Sequence, residues 1–389
     1  MKKLVAIICL LATIVSMSTL GTLSASASGV WVDEGMPVKD HAYTFVFVGD
    51  TQTITIGDVK NGTKNLNKIY DWIVENKEER KIEFVFGLGD ITDTPWRTGD
   101  VEYEVAIEAI NKLNGVVPYS LVRGNHDQVS YNKFFKNEAY ISQFNGEFLG
   151  DTINNSYRLF EINNQKFLFM TLDFGPDDAV LEWANGVLAK YPKHAAIITT
   201  HGYLDAKGNP LDDESASFGT PMANNGVEMW EKCFSKHENI LMVVCGHVGI
   251  DGVVTSYKRG EKGNMVTGIL VDPQGLDESD PTGLILLMNV SADGRYYSLE
   301  YYSTIKEKYK RGCQMMKTMR ASVGGSVQIF TTDATTAAAT TTEAQTTATT
   351  TAAEEEGGCS SAIVSTVSAV CMIGTSLAAF ALRKKQRED

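Results

Sequence analysis

Five short polar motifs each stand where an apolar run stops: Gly49-Asp50-Thr51-Gln52, Gly89-Asp90-Ile91-Thr92-Asp93, Gly124-Asn125-His126-Asp127, Thr200-His201-Gly202 and Cys245-Gly246-His247. Asp, Asn and His are the oxygen and nitrogen donors that divalent ions take. Two such ions about 3.5–4 Å apart are a common device for driving water onto a phosphate ester. The runs that end in the motifs (residues 43–48, 82–88, 116–122, 195–200 and 240–244) are short and rich in β-branched and aromatic residues, as buried strands are. In a layered α/β sheet the carboxyl ends of parallel strands face one edge. Motifs separated by up to about 200 positions can therefore meet in a single crevice.

Taken together and in order, the motifs resemble those of the calcineurin-like metallophosphoesterases, over roughly residues 43–303. That family's signature runs Asp-x-His, Gly-Asp-x-x-Asp, Gly-Asn-His-Asp, His, Gly-His-x-His. The resemblance implies an α/β fold of two packed mixed β-sheets flanked by helices, and two divalent metal ions (Mn, Fe, Zn or Mg) as cofactors. Asp90 is the candidate bridging carboxylate, since a negative oxygen shared by two dications reduces their mutual repulsion. By resemblance, Asn125, His201 and His247 would complete one metal position with Asp90. His126 would stand near the leaving oxygen as general acid, with Asp93 or Asp127 holding its other nitrogen. Arg123 could neutralise phosphate oxygens, or be a surface arginine.

The other metal position departs from the family pattern. Its residues are Asp50, Gln52 and Gly249, where the family has Asp, His and His. Gln52 still offers an amide oxygen, but Gly249 offers no side chain. Such an oxygen-rich set suits a hard ion such as Mn²⁺ or Mg²⁺ better than Zn²⁺. A water, Asp251 or Asp272 could fill the gap, Asp272 standing at another strand end in Asp272-Pro273-Gln274. Trp96, Tyr131 and Tyr203 each follow a motif and could line the mouth of the crevice, with core packing as the alternative for at least one of them. His41, His194 and His237 lie outside every motif and are expected to be core imidazoles.

The elements that must position these residues follow from periodicity. Apolar spacing predicts helices over 61–80 and 102–113, giving strand, helix, strand, helix, strand through residue 122. A hairpin is expected from 156–162 and 166–172 over Asn163-Asn164-Gln165, then a helix over 176–191 and the strand to His201. A helix over 226–237 precedes the strand to Gly246-His247, and strands at 253–258, 264–271, 283–290 and 296–303 form a β-rich end. Residues 202–225 form a Gly-, Asp- and Ser-rich insertion that suits a lid or specificity loop, with a disordered surface loop as the alternative.

Outside the domain, residues 1–27 have a basic start, an apolar stretch and Ala25-Ser26-Ala27, the layout of a secretory signal. Residues 28–320 are the phosphoesterase domain, about 290 residues, acceptable for one large α/β domain. Residues 321–360 are a Thr-rich stalk whose composition cannot build a core. Residues 361–382 carry no charge and, as a helix of about 33 Å, could span a bilayer. The basic residues of 383–389 would keep the tail cytoplasmic. A net charge of −13 and the lack of a basic stripe argue against a nucleic-acid partner. Cysteine spacing is too irregular for a disulfide scaffold, and Cys245 reads as a buried thiol with a bridge to Cys233 as the alternative. The sequence thus points to a cell-surface, metal-dependent phosphoester hydrolase acting on a small-molecule or cell-envelope ester. The rival is a non-catalytic surface binding module on the same fold with a degenerate first metal position.

Overall fold

The computed structural model describes residues 31–35, 41–127, 130–136, 138–148, 153–213, 221–250, 252–277 and 281–318. All described residues belong to one compact unit within residues 1–335. The expected signal, stalk, span and tail lie outside the described residues, as does Asp251. Among the described residues no helix is long and apolar enough to cross a membrane.

Two seven-stranded mixed sheets form the domain. The first is built from β1 (Trp31–Val32), β2 (His41–Val48), β3 (Ile82–Gly87), β4 (Tyr119–Leu121), β12 (Leu284–Ser291), β13 (Tyr296–Ser303) and β14 (Lys308–Thr318), in the order β1-β14-β13-β12-β2-β3-β4. The second contains β5 (Gly146–Glu147), β6 (Ser156–Ile162), β7 (Gln165–Thr171), β8 (Ala195–Thr199), β9 (Ile240–Cys245), β10 (Val253–Arg259) and β11 (Met265–Val271), in the order β10-β11-β9-β8-β7-β6-β5. Strands β2, β3 and β4 run parallel, as do β7, β8, β9 and β11. All five motifs leave the carboxyl ends of these parallel strands.

The continuous apolar character of the strands follows from burial on both faces. Side chains alternate along a strand, so Phe45 and Phe47 enter the core between the sheets while Val46 and Val48 enter the core under the helices. Phe84, Phe86, Phe167 and Phe169 complete an aromatic centre between the sheets. Phe169 meets Phe45 at 5.4 Å and Phe86 at 4.9 Å, both edge to face, a geometry favoured by ring quadrupoles. Helices α1 (Gln52–Asn61), α2 (Asn65–Glu75) and α3 (Val101–Ile110) cover the outer face of the first sheet through Ile54, Leu66, Ile69, Ile73, Tyr103 and Ala106. Helix α4 (Asp178–Lys190) and the segment through Trp230 and Phe234 cover the second.

Four local expectations need correction. Residues 52–61 are helical although Thr53, Ile54, Thr55 and Ile56 are β-branched and Gly57 interrupts them. Burial of Ile54 and Ile56 outweighs the weak local preference. The next helix accordingly begins at Asn65, after Gly62 ends α1 in a left-handed conformation. The hairpin turn is the two-residue Asn163-Asn164, both at positive φ, a turn type that matches strand twist. Gln165 belongs to β7, and its side chain accepts a hydrogen bond from Tyr43 Oη across the two sheets. Finally, the expected helix over 226–237 is a short α-turn, Gly226–Met229, followed by a π-helical turn, Trp230–Phe234. Strand β14, rich in Lys and Met, gave no apolar run, yet it pairs with β13 across most of its length. Cys233 and Cys245 are buried free thiols and form no bridge.

The aromatic centre holds the two sheets, and with them the two halves of the motif set, in register. Phe169→Ala should cost about 3–5 kcal/mol of folding stability, read as a shift in the urea midpoint. A loss below about 1 kcal/mol would show that the ring is not a keystone of this core.

Candidate metal centre

The motifs converge on one buried crevice. Asp90 sits at its middle, 2% exposed, in a left-handed backbone conformation with φ 47°. Such a conformation is uncommon outside glycine and is concentrated at functional sites. Its Oδ1 accepts the His126 amide at 2.9 Å. Its Oδ2 lies 3.2 Å from His201 Nε2 and accepts from Gln52 Nε2 at 3.2 Å. His201 is fully buried, and the Leu88 carbonyl, 2.8 Å from Nδ1, places the hydrogen on that nitrogen. Nε2 is thereby turned toward the centre, 3.0 Å from Asn125 Oδ1. The His247 ring packs 4.9 Å from that of His201, with Phe174 against both. Ligand atoms of Asp90, His201 and His247 all lie within 4.8 Å of one another, a group that could hold a metal ion.

Asp50 and Gln52 approach from the end of β2 and the first residue of α1. Asp50 Oδ2 accepts the His247 amide at 3.0 Å and stands 4.0 Å from His201 Nε2. Two glycines make this crowding feasible. A Cβ at Gly124 would lie 2.1 Å from Asp90 Oδ1, and one at Gly246 would lie 2.1 Å from Asp50 Oδ1. The glycines of the Gly-Asn-His and Gly-His motifs are thus required by the carboxylates beside them.

Electrostatics show what the donor set lacks. Burial, with the neighbouring Asp272 adding to it, raises the Asp50 carboxyl well above the usual range. Burial likewise disfavours charge on Asp90, but His201 overrides it and holds Asp90 below its ordinary value. Burial opposes charge on His201 too, yet Asp90 and Asp50 push it up to about 10. His247, desolvated and next to His201, is depressed to about 3. Asp50 Oδ1 and Gln52 Oε1 are buried without a hydrogen-bond partner. Orphaned buried acceptors of this kind are costly. The residues present therefore fit divalent cations, which would meet the orphaned oxygens and replace the proton on His201.

The structure separates the roles expected around His126. Its Nδ1 donates to the Asp93 backbone carbonyl at 2.6 Å, with the Asp93 carboxylate further off at 3.8 Å. That leaves Nε2 on the crevice side, 4.0 Å from Asp90 Oδ2. Asp127 does not hold the ring. Its carboxylate is fully occupied by the amides of Ile91, Thr92 and Gly124 and by the Thr92 hydroxyl, so it braces the second motif against the third. Arg123 is not a free phosphate clamp either. Its guanidinium is engaged by both oxygens of Asp173, at 2.9 and 2.5 Å.

Of the three candidate rim aromatics, only Trp96 is exposed, at 53%, with its ring 5.9 Å from that of His126. Tyr131 bonds the Leu121 carbonyl and Tyr203 packs on Phe234, so both are core residues. His41, His194 and His237 are apart from the site but only half-buried; His41 pairs with Thr44 and His237 with Asn185. The insertion after His201 is described in part, tied by a Leu204–Pro210 bridge and by Leu211 buried beneath Tyr203.

Three contributors were missed. Glu102 is fully buried and accepts from Asp93 N, Thr94 N, Thr94 Oγ1 and Thr98 Oγ1, so it shapes the loop that carries Asp93 and Trp96. A glutamate on an amphipathic helix carries no sequence signal for that task. Asp173 follows strand β7 and could have been found by the strand-end rule that found the others. Gln274 donates to Asp272 and accepts from Gln52 at 2.6 Å, a link between residues more than two hundred apart that no local pattern reveals.

The chain is 26% identical over 294 residues to the uncharacterized protein YvnB of Bacillus subtilis, a match covering 71% of this chain and 21% of the relative. The chain thus matches about one fifth of that relative's length. Among solved structures, a dimetal phosphatase from Danio rerio aligns at 16% identity and TM-score 0.49, covering 73% of this chain and 100% of that one. Purple acid phosphatase PPD1 from yellow lupin seeds aligns at 16% identity and TM-score 0.44, covering 73% of this chain and 55% of that one. The calcineurin-like phosphoesterase family, Metallophos, matches residues 43–253, more than half of the chain. On that match the chain belongs to the calcineurin-like phosphoesterase family of metal-dependent phosphoesterases.

Proposed function

We propose that this chain hydrolyses a phosphoric ester outside the cell and on its surface, with two divalent ions that Asp90 would hold in common. The convergence of Asp90, His201 and His247 ligand atoms within 4.8 Å carries the reading. Asn125, His201 and His247 would hold one ion with Asp90, and Asp50 and Gln52 would hold the other. When bound, two divalent ions supply Lewis-acid polarisation of the phosphoryl group and bring the pKa of a water toward neutrality.

The protein's own groups do the rest. His126 stands at the rim with its side chain about one third exposed, where a leaving oxygen can reach Nε2. The Asp93 carbonyl fixes which ring nitrogen faces the crevice, so the proton is offered in one direction. Phe174 packs against both histidines, its ring 5.7 Å from that of His201 and 5.1 Å from that of His247. Trp96 offers an exposed ring beside His126, which favours esters whose leaving group carries a flat apolar or heterocyclic part. The all-oxygen character of Asp50 and Gln52 favours Mn²⁺ or Mg²⁺ at that position. Surface placement is supported by the secretory layout of residues 1–27 and by the uncharged stretch of 361–382 behind a Thr-rich segment.

The rival reading, a binding module that kept the fold, draws on Gly249. Assay of the chelator-stripped full chain on aryl phosphomonoesters and phosphodiesters, with and without added Mn²⁺, decides between them. Hydrolysis that appears only with metal is expected. Metal binding with neither ester cleaved would favour the binding module, and hydrolysis indifferent to thorough chelation would contradict both.

Two substitutions should differ in kind. Asp90→Ala removes the shared ligand, so bound metal and activity should vanish together. His126→Ala removes only the proton donor and should keep the metal while kcat falls about 10²–10⁴-fold. Loss of metal in His126→Ala, seen by elemental analysis, would show that its role has been misassigned.

A further inference from the structure

We propose that Asp272 is a metal ligand of the first position, standing in for the side chain that Gly249 lacks, and that Gln274 is the positioning residue that orients both Asp272 and Gln52. This rests on the metal-dependent reading above and names a residue outside the five motifs.

The space left by Gly249 is not open. A Cβ built there would meet Asp272 Oδ2, Gln274 Cγ and Gln274 Nε2, each at 3.9 Å. The contact is fixed by backbone as well, because the Ile250 amide donates to the Asp272 carbonyl at 3.0 Å. The end of β11 is thus stitched to the loop after His247, and the Asp272 side chain, 0% exposed, is delivered where a side chain from position 249 would begin.

The polar chain through this region reaches the centre. Asp272 Oδ1 accepts the Gln274 amide at 3.0 Å and Oδ2 accepts Gln274 Nε2 at 3.0 Å. Gln274 Oε1 accepts from Gln52 Nε2 at 2.6 Å, and the same nitrogen donates to Asp90 Oδ2 at 3.2 Å. Gln274 thereby sets which end of the Gln52 amide faces away from it, the end whose oxygen is buried and unpartnered. A carboxylate has about four acceptor positions, and the two bonds from Gln274 leave Asp272 with capacity for a cation. With Asp50 Oδ1 also unpartnered, the position holds Asp50, Gln52, Asp90 and Asp272. That is an all-oxygen set with three negative charges, where an imidazole-bearing pattern would have carried fewer.

The full chain, stripped by chelator and titrated with Mn²⁺ in a calorimeter, tests the assignment, with metal content measured after desalting. The unaltered chain should bind two ions. Asp272→Asn keeps the shape and an acceptor for the Gln274 amide; it should hold one ion as before and bind the second about 100-fold more weakly. Asp272→Ala should behave alike, and Gly249→His added to it should recover the second ion with preference moved toward Zn²⁺. Two ions bound by Asp272→Asn with unaltered affinity would overturn the assignment and leave Asp272 a brace. One ion in the unaltered chain would overturn it as well. No ion in the unaltered chain would overturn instead the metal-dependent reading on which it rests.

Discussion

Three buried carboxylates, Asp50, Asp90 and Asp272, stand close enough at the strand ends for the charge of one to raise another, and that arrangement governs the rest of the site. Two unit charges about 4 Å apart repel by about 4 kcal/mol even at an effective dielectric near 20. Without cations, the molecule answers with protons. Asp50 is pushed up by burial and by Asp272, Asp272 is pushed up to about 6 by burial with Asp90 adding to it, and His201 is held charged against Asp90 and Asp50. Divalent ions answer the same repulsion more completely, because they also meet the oxygens that have no hydrogen. The centre is therefore an unbalanced donor set that a pair of dications would balance.

Such a set is feasible only because the scaffold forces it. The parallel strands of both sheets end at one edge, and the aromatic core between the sheets keeps those ends in register. Gly124 and Gly246 give up their side chains so that the carboxylates of Asp90 and Asp50 can lie against backbone. Asp90 and His247 adopt left-handed backbone conformations, φ 47° and 74°, local strain that the surrounding hydrogen bonds sustain. Asp127 and Glu102, neither a metal ligand, hold the loops in which Asp90, Asp93, Trp96 and His126 are carried.

Much of this was legible in the sequence because strand ends announce themselves. An apolar, β-branched run that stops at Gly-Asp or Gly-His marks both the element and the position of the polar residue, and Asp50, Asp90, Asn125, His201 and His247 were all found that way. What was hidden depends on contacts between distant segments. Helix α1 forms against its local preference because Ile54 and Ile56 have a core to enter. Arg123 reads as a phosphate ligand or a surface arginine until Asp173, fifty residues on, is seen to engage it. Asp127 resembles a partner for His126 only while the amides of the neighbouring motif are out of view. Gly249 was legible as a gap, and Asp272 as one of several ways to fill it. The proposal of Asp272 over the others draws on the backbone bond from Ile250 and the link from Gln274 to Gln52.

The central claim is that one carboxylate, Asp90, is shared by two ions. Crystals grown with Mn²⁺ and measured at a wavelength where manganese scatters anomalously test it directly. Two anomalous peaks about 3.5–4 Å apart, both within ligand distance of the Asp90 carboxylate, are predicted. A single peak, or two peaks of which only one touches Asp90, would contradict the account.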